Sequence, residues 1–225
     1  MAEEAGRVKL PPKIAVVAPS GRGKSMSFRN FGTELGLINI EYKELPFKDN
    51  FKYHALCQSW SQAYAKIIEY AQNPDIQVIG FDSFSMYLDS LMMEARKTKK
   101  GFDVFNFYNE NIANLLNTIK RCPKPVIVLA HPEWVQDEGG LKERRIAVKG
   151  KEFEGAVEKH FSTVVYADIE INPLNPKDRK YKFILNSDGT NSAKCPPYYF
   201  GEEINEIPND CKYLLDTILS KQTTN

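Results

Sequence analysis

The sequence has few cysteines, no long apolar run and almost no net charge, and each of these absences excludes a class of protein. No Cys-x-x-Cys pair occurs among its four cysteines, so neither a zinc ribbon nor a disulfide framework is indicated. The lack of a signal peptide and of a long apolar run predicts a soluble, cytoplasmic protein that does not enter membranes. Lys and Arg total 30 against 29 Asp and Glu, for a net charge of +1, so any basic surface that binds nucleic acid must be local.

The length of the chain sets the domain organisation that we expect. Its 225 residues are enough for one α/β domain with a substantial core and too few for two large domains. Residues 1–10 are polar and of mixed charge, which predicts a flexible N-terminal arm. We therefore predict a single domain over residues 11–225.

A glycine-rich turn after the first apolar run is the strongest motif in the chain. A strand predicted over about Lys13–Val17 leads into Ala-Pro-Ser-Gly-Arg-Gly-Lys-Ser at residues 18–25, which resembles the Walker A motif. Gly21 and Gly23 permit backbone angles at which successive N–H groups point inward and cradle phosphate oxygens. Lys24 would add a charge at the β- and γ-phosphates, and Ser25 would offer its hydroxyl to Mg²⁺. The predicted cofactors are ATP and Mg²⁺, and the predicted ATP-binding residues are Pro19, Ser20, Gly21, Arg22, Gly23, Lys24, Ser25 and Met26.

One position departs from that motif, and an alternative follows from it. Ala18 stands where the first glycine of the motif is expected. The alternative is a glycine-rich β-to-α turn with a chance Gly-Lys-Ser.

Polar residues end three further predicted strands, at the same edge of the sheet as Lys24. An apolar strand that closes on Asp82 resembles the Walker B motif, whose carboxylate holds Mg²⁺ together with Ser25. Glu41 ends a strand predicted over Leu37–Glu41, and His131 ends Val126–His131, where it would sense the γ-phosphate or orient the attacking water. The alternatives are an Asp in a turn, a Glu that only pairs with Lys43, and a His that caps its strand.

Two segments combine basic and aromatic residues, a combination that suits single-stranded nucleic acid. The candidate nucleic-acid-binding residues are Lys97, Lys99, Lys100, Trp134, Lys142, Arg144, Arg145 and Lys149. The first segment, 96–106, is equally compatible with a solvated helix end. The second, 133–151, is predicted to be a mobile loop, although 141–148 is also compatible with a β-hairpin arm and Trp134 with core packing.

The remaining periodic patterns predict helices and a strand pair. Apolar residues at helical spacing predict helices over 56–71, 84–92, 108–119 and 211–219, and shorter helices are expected at Lys24–Phe31 and Glu152–His160. Alternation predicts strands at Thr163–Ile171 and Lys180–Asn186 that pair with each other.

In order and spacing, residues 12–200 resemble the phage-type RecA-like P-loop ATPases, small single-domain relatives of RecA often encoded beside single-strand annealing and recombination genes. The resemblance rests on residues 18–25, Glu41, 78–83, 126–131, 148–161 and the strand pair ending near Lys194. It implies an α/β, RecA-like P-loop NTPase fold: a mostly parallel central sheet flanked by helices, with a C-terminal antiparallel strand pair.

The resemblance also assigns roles to the matching positions. It implies that Glu41 activates water, that His131 is the polar switch residue, and that 96–106 and 133–151 are the first and second DNA-binding loops. Lys194 resembles the basic residue that such ATPases offer to the γ-phosphate of a neighbour, which implies a homo-oligomer with an intersubunit active site. The implied partners are single-stranded DNA and a single-strand annealing or single-strand-binding protein, in the host cytoplasm if the protein is phage-encoded.

Two functions of other classes remain open on the sequence. One is a nucleotide-gated assembly module that does not bind DNA. The other is a small-molecule or nucleotide kinase, in which the loop around Arg144 and Arg145 would be the lid.

Overall fold

The computed structural model describes residues 9–136 and 139–223, so most of the predicted N-terminal arm lies outside the described residues. The strands are Lys13–Val17 (β1), Leu35–Asn39 (β2), Tyr53–Leu56 (β3), Val78–Asp82 (β4), Val126–Ala130 (β5), Pro132–Gln136 (β6), Lys142–Ile146 (β7), Thr163–Ile171 (β8), Arg179–Ile184 (β9) and Glu206–Pro208 (β10). The helices are Trp60–Gln72 (α1), Phe84–Thr98 (α2), Asp103–Arg121 (α3), Pro197–Phe200 (α4) and Cys211–Thr223 (α5), with 3₁₀ turns at Ser25–Phe28 and Val157–His160. Within 9–136 and 139–223, no helix has the length and apolar composition needed to cross a bilayer.

Eight strands form one sheet in the order β10-β9-β8-β1-β5-β4-β2-β3. The six strands from β8 to β3 are parallel, whereas β9 and β10 run antiparallel to their neighbours. The strand that carries the Walker B pattern, β4, is separated from β1 by β5. This arrangement confirms the predicted α/β, RecA-like P-loop class, including the C-terminal antiparallel strand pair.

The central strands β1, β2, β4 and β5 are buried on both faces of the sheet, which explains why they are largely apolar. On β1, Ala15 and Val17 face a core that includes residues of α1, α2 and α3. Ile14 and Val16 face a second core, to which α5 and Phe28 contribute. The carboxyl ends of the parallel strands are left as the edge at which polar side chains gather.

The chain after β2 turns earlier than expected, so Glu41 lies outside the strand that was predicted to end on it. The Asn39 side chain accepts a hydrogen bond from Tyr42 N at 3.0 Å and donates one to Lys43 O at 2.8 Å. This side chain replaces ladder partners and closes a turn over 39–43. The backbone N–H of Glu41 still reaches Asp82 O at 3.3 Å, which keeps Glu41 beside β4.

Three predicted helices are wrong in extent or type. The segment Lys24–Phe31 contains only the 3₁₀ turn Ser25–Phe28, because the Ser27 hydroxyl bonds to Lys24 O and competes with the helical ladder. Glu152–His160 likewise contains only Val157–His160. Leu56 belongs to β3 rather than to the following helix, which starts at Trp60 after the Ser59 cap.

The segment predicted as a mobile loop contains an ordered β6–β7 hairpin, in which Pro132 pairs with Ile146 and Gln136 with Lys142. Its sequence carries no apolar alternation that would predict two strands. Hydrogen bonds to distant segments stabilise it instead. Arg144 N donates to Thr190 O at 2.9 Å, and Ile146 N donates to the Glu158 carboxylate at 2.7 Å. The alternative of a hairpin over 141–148 is therefore correct in type but not in extent: Lys142–Ile146 is one strand, and Pro132–Gln136 is the other. Asp137 and Glu138 lie outside the described residues.

The second hairpin of the fold, the β8–β9 arm, projects past the edge of the sheet. Only Thr163–Tyr166 of β8 pair with β1, and the five residues 167–171 continue beyond it, paired with β9. At about 3.3 Å per residue, this extension is roughly 16 Å long. The arm therefore rises beside the turn that follows β1.

Candidate functional site

The turn after β1 has the backbone geometry of a phosphate-binding loop. Gly21 and Gly23 adopt φ of 78° and 83°, angles that residues with a Cβ rarely adopt. Ala18 is still part of the ladder, since its N–H donates to Ala130 O at 3.1 Å. Among the described residues, Tyr42 is the only non-glycine with positive φ, so the position of Ala18 does not require glycine.

The side chain of Lys24 is buried at the mouth of this loop. Its ammonium group donates to Ala18 O at 2.6 Å and to Pro19 O at 3.0 Å. Burial lowers the pKa of Lys24 to about 8, although the nearby carboxylates of Asp82 and Glu41 oppose this shift. Lys24 therefore remains a cation at neutral pH that can exchange two neutral carbonyls for a phosphate oxygen.

Ser25 and Asp82 bring the two sequence motifs into contact. The Ser25 hydroxyl donates to Asp82 Oδ2 at 2.7 Å. Asp82 is 4% exposed, and burial raises its pKa to about 6, with the charge of Glu41 adding to the rise and the Ser25 hydrogen bond and Lys24 opposing it. A hydroxyl and a carboxylate are oxygen donors of the kind that Mg²⁺ prefers.

Glu41 is held by two donors. Its Oε1 accepts a hydrogen bond from the Ser83 hydroxyl at 2.6 Å, and its Oε2 accepts one from Lys43 Nζ at 3.1 Å. Burial alone would raise the pKa of Glu41, but these bonds and the charges of Lys43 and His131 outweigh burial and lower it. The ion pair with Lys43, which the sequence offered as an alternative role for Glu41, is present. The Lys43 side chain is 76% exposed, however, and Glu41 also lines the cleft at the phosphate loop.

His131 stands where β5, α2 and the β6–β7 hairpin meet. Its backbone N–H donates to the Ser85 hydroxyl at 2.9 Å, and its carbonyl accepts a bond from Ala147 N at 2.9 Å. Burial lowers the pKa of His131, and the Lys24 charge lowers it further. The imidazole is therefore neutral at pH 7 and offers both a donor and an acceptor.

These residues line two adjoining clefts. The phosphate-loop cleft has a volume of ≈ 380 Å³ and is lined by Ser20, Gly21, Gly23, Lys24, Ser25, Met26, Glu41, Lys43, Pro46, Asp82, His131 and Tyr181. The second cleft, of ≈ 360 Å³, shares Ser20, Glu41, Lys43 and His131 with it and continues toward α2, Tyr108 and the end of the β6–β7 hairpin. Lys24, Ser25, Glu41, Asp82 and His131 are therefore brought together, as expected for strand ends at one edge.

Lys194 is placed elsewhere. Its backbone pairs with Val164 near the start of β8. Burial lowers the pKa of Lys194, and the charge of Glu158 opposes this shift. The charge of Lys194 in turn adds to the lowering of the pKa of His160 by burial. Val164 in turn pairs with Ala15, two residues before the end of β1. The backbone of Lys194 therefore lies level with the middle of β1, and Lys194 is not among the residues that line the phosphate-loop cleft.

The basic segment near Lys97 is mostly helical rather than a loop. Lys97 lies in the last turn of α2, since Lys and Arg suit both a helix interior and its negative end. Only 99–102 separates α2 from α3, so the predicted loop 96–106 is wrong in extent, and the solvated-helix-end alternative fits Lys97. Lys99 lies over the Phe107 ring at 5.4 Å, and Lys100 is exposed.

The other basic candidates lie on or just after the β6–β7 hairpin. The Arg144 guanidinium stands 5.9 Å from the Trp134 ring, and the Trp134 side chain is 62% exposed rather than packed in the core. Arg145 forms an ion pair with Glu143 at 2.6 Å, and Lys142 is exposed. Lys149 pairs with Asp89 of α2, which ties the end of the hairpin segment to the α2–α3 pair.

Three residues of the site escaped sequence reasoning. Ser83 and Ser85 follow β4. Ser83 positions the Glu41 side chain, and Ser85 positions the backbone of His131. The presence of a serine after the Walker B pattern does not predict either contact. Tyr181 enters the phosphate-loop cleft from the middle of β9, where the sequence carries no motif.

Comparisons with known proteins identify one family and one similar structure. A protein-family model described as an AAA domain matches residues 10–195. Among solved structures, the crystal structure of a KaiC-like protein from the hyperthermophilic archaeon Pyrococcus horikoshii OT3 is similar, with 10% identity, a TM-score of 0.43, and coverage of 77% of this chain and 78% of that chain. No curated protein matches the sequence.

Proposed function

The chain belongs to the AAA domain family, whose members are P-loop ATPases, and we propose that it hydrolyses ATP to act on single-stranded DNA in phage recombination, repair or replication. The observation that carries the ATPase part is the 2.7 Å hydrogen bond between Ser25 and Asp82. It joins the two phosphate-site motifs in a cleft that also contains Lys24 and Glu41.

The proposed reaction is attack of water on the γ-phosphorus, which breaks its bond to the β,γ-bridging oxygen and releases ADP and inorganic phosphate. The triphosphate lies on the N–H groups of the glycine-rich turn, and the Lys24 ammonium leaves its two carbonyl partners for the β- and γ-oxygens. Glu41 stays ionised at neutral pH because its pKa is lowered, so it can accept a proton from water. His131, neutral and beside Glu41, orients that water.

The Ser25–Asp82 pair fits a magnesium ion that arrives with the nucleotide. No group of three or more His, Cys, Asp or Glu suited to a metal occurs within 9–136 and 139–223, so a cage built from protein ligands alone is not available there. The Ser25 hydroxyl and the Asp82 carboxylate would hold the ion directly or through water. When bound, Mg²⁺ neutralises charge on the β- and γ-oxygens.

The test of the ATPase proposal is phosphate release from ATP by the purified chain. Lys24→Ala is expected to reduce the rate about 100-fold or more, because it removes a charge placed at the transferred phosphoryl group. The control, Lys97→Ala, removes a lysine at the far end of α2 and is expected to leave the rate in the absence of DNA unchanged. A wild-type chain that releases no phosphate with Mg²⁺ present would refute the proposal.

The proposal of DNA binding is supported by the exposed ring of Trp134 beside Arg144, since rings stack on bases and cations follow the backbone. Trp134→Ala is expected to weaken binding of oligo-dT roughly 5- to 150-fold. The affinity of the wild-type protein should fall steeply between 50 and 200 mM salt, as counterion release requires. Absence of salt-sensitive binding, and of any stimulation of ATP hydrolysis by DNA, would remove the DNA part alone.

A homo-oligomer is proposed because Lys194 does not line its own phosphate-loop cleft, and the resemblance assigns it to the γ-phosphate of a neighbouring copy. The expected result is ATP-dependent assembly in analytical ultracentrifugation. Mixing Lys194→Ala with Glu41→Gln protein should then restore part of the activity that each lacks alone, because some interfaces contain both native residues. A single-strand annealing or single-strand-binding protein remains the proposed partner.

A kinase is the second candidate, and the second cleft favours it. This cleft of ≈ 360 Å³ opens beside Glu41 and His131 and has both polar and apolar walls, as an acceptor site would. Transfer of labelled phosphate from ATP to a panel of nucleosides, rather than to water, would identify it.

An assembly module without catalysis is separated from both by two variants. It requires Glu41→Gln to retain function in a nucleotide-dependent assembly assay and Lys24→Ala to lose it.

A further inference from the structure

Tyr181 reaches the phosphate loop from the β8–β9 arm. A Cβ placed on Gly23 would lie 2.8 Å from Cδ1 of Tyr181, so the edge of the ring rests against the loop backbone. The residue remains 38% exposed and lines the same cleft as Ser25 and Met26. Tyr181 therefore offers an aromatic surface to whatever occupies that cleft.

The strand order puts Tyr181 on the side of the loop opposite the reactive groups. Asp82 ends β4, and Glu41 and His131 follow β2 and β5. These three strands lie on one side of β1, whereas β8 and β9 lie on the other side. A nucleoside triphosphate whose terminal phosphate faces Glu41 must direct its nucleoside away from these carboxylates. The β8–β9 arm lies on the side of β1 away from these carboxylates.

A buried amide next to Tyr181 supplies an independent observation. Asn209 is 1% exposed, and its backbone N–H donates to Tyr181 O at 3.3 Å. Its Nδ2 would stand 3.4 Å from a Cβ on Gly23, so the amide faces the loop. Among the described residues, neither atom of this amide has a hydrogen-bond partner. A buried donor and acceptor without protein partners require an explanation, and a polar ligand group at the adjacent loop would supply one.

We propose that Tyr181, backed by Asn209, forms the nucleoside-binding end of the cleft, with the tyrosine ring in contact with the base of a purine nucleotide. This inference rests on the proposed function, since it assumes that phosphates occupy the loop. It assigns the affinity for the nucleoside to the β8–β9 arm and leaves hydrolysis to the opposite side of β1. Aromatic rings contact purines with little selectivity between them, so Tyr181 supports both ATP and GTP.

The experiment compares ligands with and without a nucleoside. Calorimetric titration with ATP and with inorganic tripolyphosphate, both with Mg²⁺, is carried out on wild type, Tyr181→Ala and Tyr181→Phe. Tyr181→Ala is expected to weaken ATP binding roughly 5- to 150-fold, as loss of a base–ring contact does, and to leave tripolyphosphate within about twofold of wild type. Tyr181→Phe keeps the ring and is expected to bind ATP within about threefold of wild type.

Two controls keep the result interpretable. Tyr213→Ala removes a half-exposed tyrosine from α5 and is expected to change neither affinity. If Tyr181→Ala does not fold, Tyr181→Leu preserves bulk on the strand while removing the aromatic face, and the same loss of ATP affinity is expected.

Three outcomes would overturn the inference. Unchanged ATP affinity in Tyr181→Ala would exclude contact with the nucleoside. Equal losses for ATP and tripolyphosphate would mean that the ring only shapes the loop. A wild-type protein that binds neither ligand would refute the proposed function itself, a result distinct from the first two because there the wild-type protein binds ATP.

Discussion

The phosphate-loop cleft is bounded by charged side chains on one side of β1 and by uncharged ones on the other. Glu41, Asp82 and His131 lie on the first side, and the pKa of each is displaced by burial and by neighbouring charges. On the second side Tyr181 lines the cleft, with the buried amide of Asn209 next to it, and neither side chain carries a charge. Charges in a poorly solvated site stabilise the charge that develops in a transition state, whereas a ring and an amide stabilise the bound ligand. Substitutions on the first side should therefore change rate and pH dependence, and those on the second should change affinity.

The largest effect expected from this division is that of Glu41→Gln. Removing the carboxylate that is proposed to accept the proton of water should lower kcat about 10²- to 10⁴-fold and leave the Kd for ATP within about threefold. The measurement is steady-state phosphate release together with equilibrium ATP binding. Lys43→Met is the matched control, because it removes the exposed partner of Glu41 and is expected to cost less than about fivefold. An equal loss in both variants would mean that the ion pair, and not the base, is what the site needs.

Asp82→Asn should separate stability from activity on the same side. The fold raises the pKa of Asp82 from its ordinary value of 3.8 to about 6, so the folded state binds more protons than the unfolded state between these values. The free energy of unfolding therefore falls as pH rises toward 6, and above that the charge costs about 3 kcal/mol. Asp82→Asn should recover a similar amount at pH 7 and almost nothing at pH 3.5, while phosphate release is lost.

Urea unfolding at the two pH values measures this effect. Asp168→Asn is a control on a half-exposed carboxylate paired with Arg22, and it should show little change at either pH. A destabilised Asp82→Asn protein at pH 7 would mean that the carboxylate is stabilised where it stands, contrary to the burial-driven shift in its pKa.

On the uncharged side, Asn209→Leu should make the ligand-free protein more stable and the nucleotide complex weaker. An amide buried without partners loses its hydration, so an apolar side chain of similar size should raise the free energy of unfolding by about 1–3 kcal/mol. Asn191→Leu is the matched control: it is also 1% exposed, but its amide bonds to Asp188 and to Ala193 N, and its loss should destabilise by a similar amount. Equal destabilisation of both variants would show that the Asn209 amide is satisfied in solution.

The charged side could be predicted from sequence because parallel strands deliver their ends to one edge. Asp82 and His131 each follow a run of apolar residues, so counting along the strand places them beside Lys24. Glu41 was placed correctly although its strand ends at Asn39, since the turn that Asn39 closes remains beside β4.

The uncharged side could not be predicted, because its residues do not stand at strand ends. Tyr181 lies in the middle of an antiparallel strand whose register is fixed by its pairing with β8, and no local pattern reports how far that arm projects. The extent of the β6–β7 hairpin could not be predicted for a related reason: its stability comes from Thr190 and Glu158, 46 and 12 residues from the Arg144 and Ile146 groups that they bind. Contacts between distant segments leave no periodicity in either segment.

The smallest expected effect tests whether charge also matters on the arm side. Arg22 of the phosphate loop pairs with Asp168 of the arm at 2.9 Å, and both side chains are nearly half exposed. Such a pair contributes about 0–1 kcal/mol and is screened by salt. The backbone ladder between Tyr166–Ile171 and Arg179–Ile184 holds the arm independently of it. Asp168→Asn should therefore change the ATP Kd less than about threefold, and the difference should vanish at 1 M salt. If Asp168→Asn weakened ATP binding as much as Tyr181→Ala, the arm would be positioned by its ion pair, and electrostatics would govern both sides of β1.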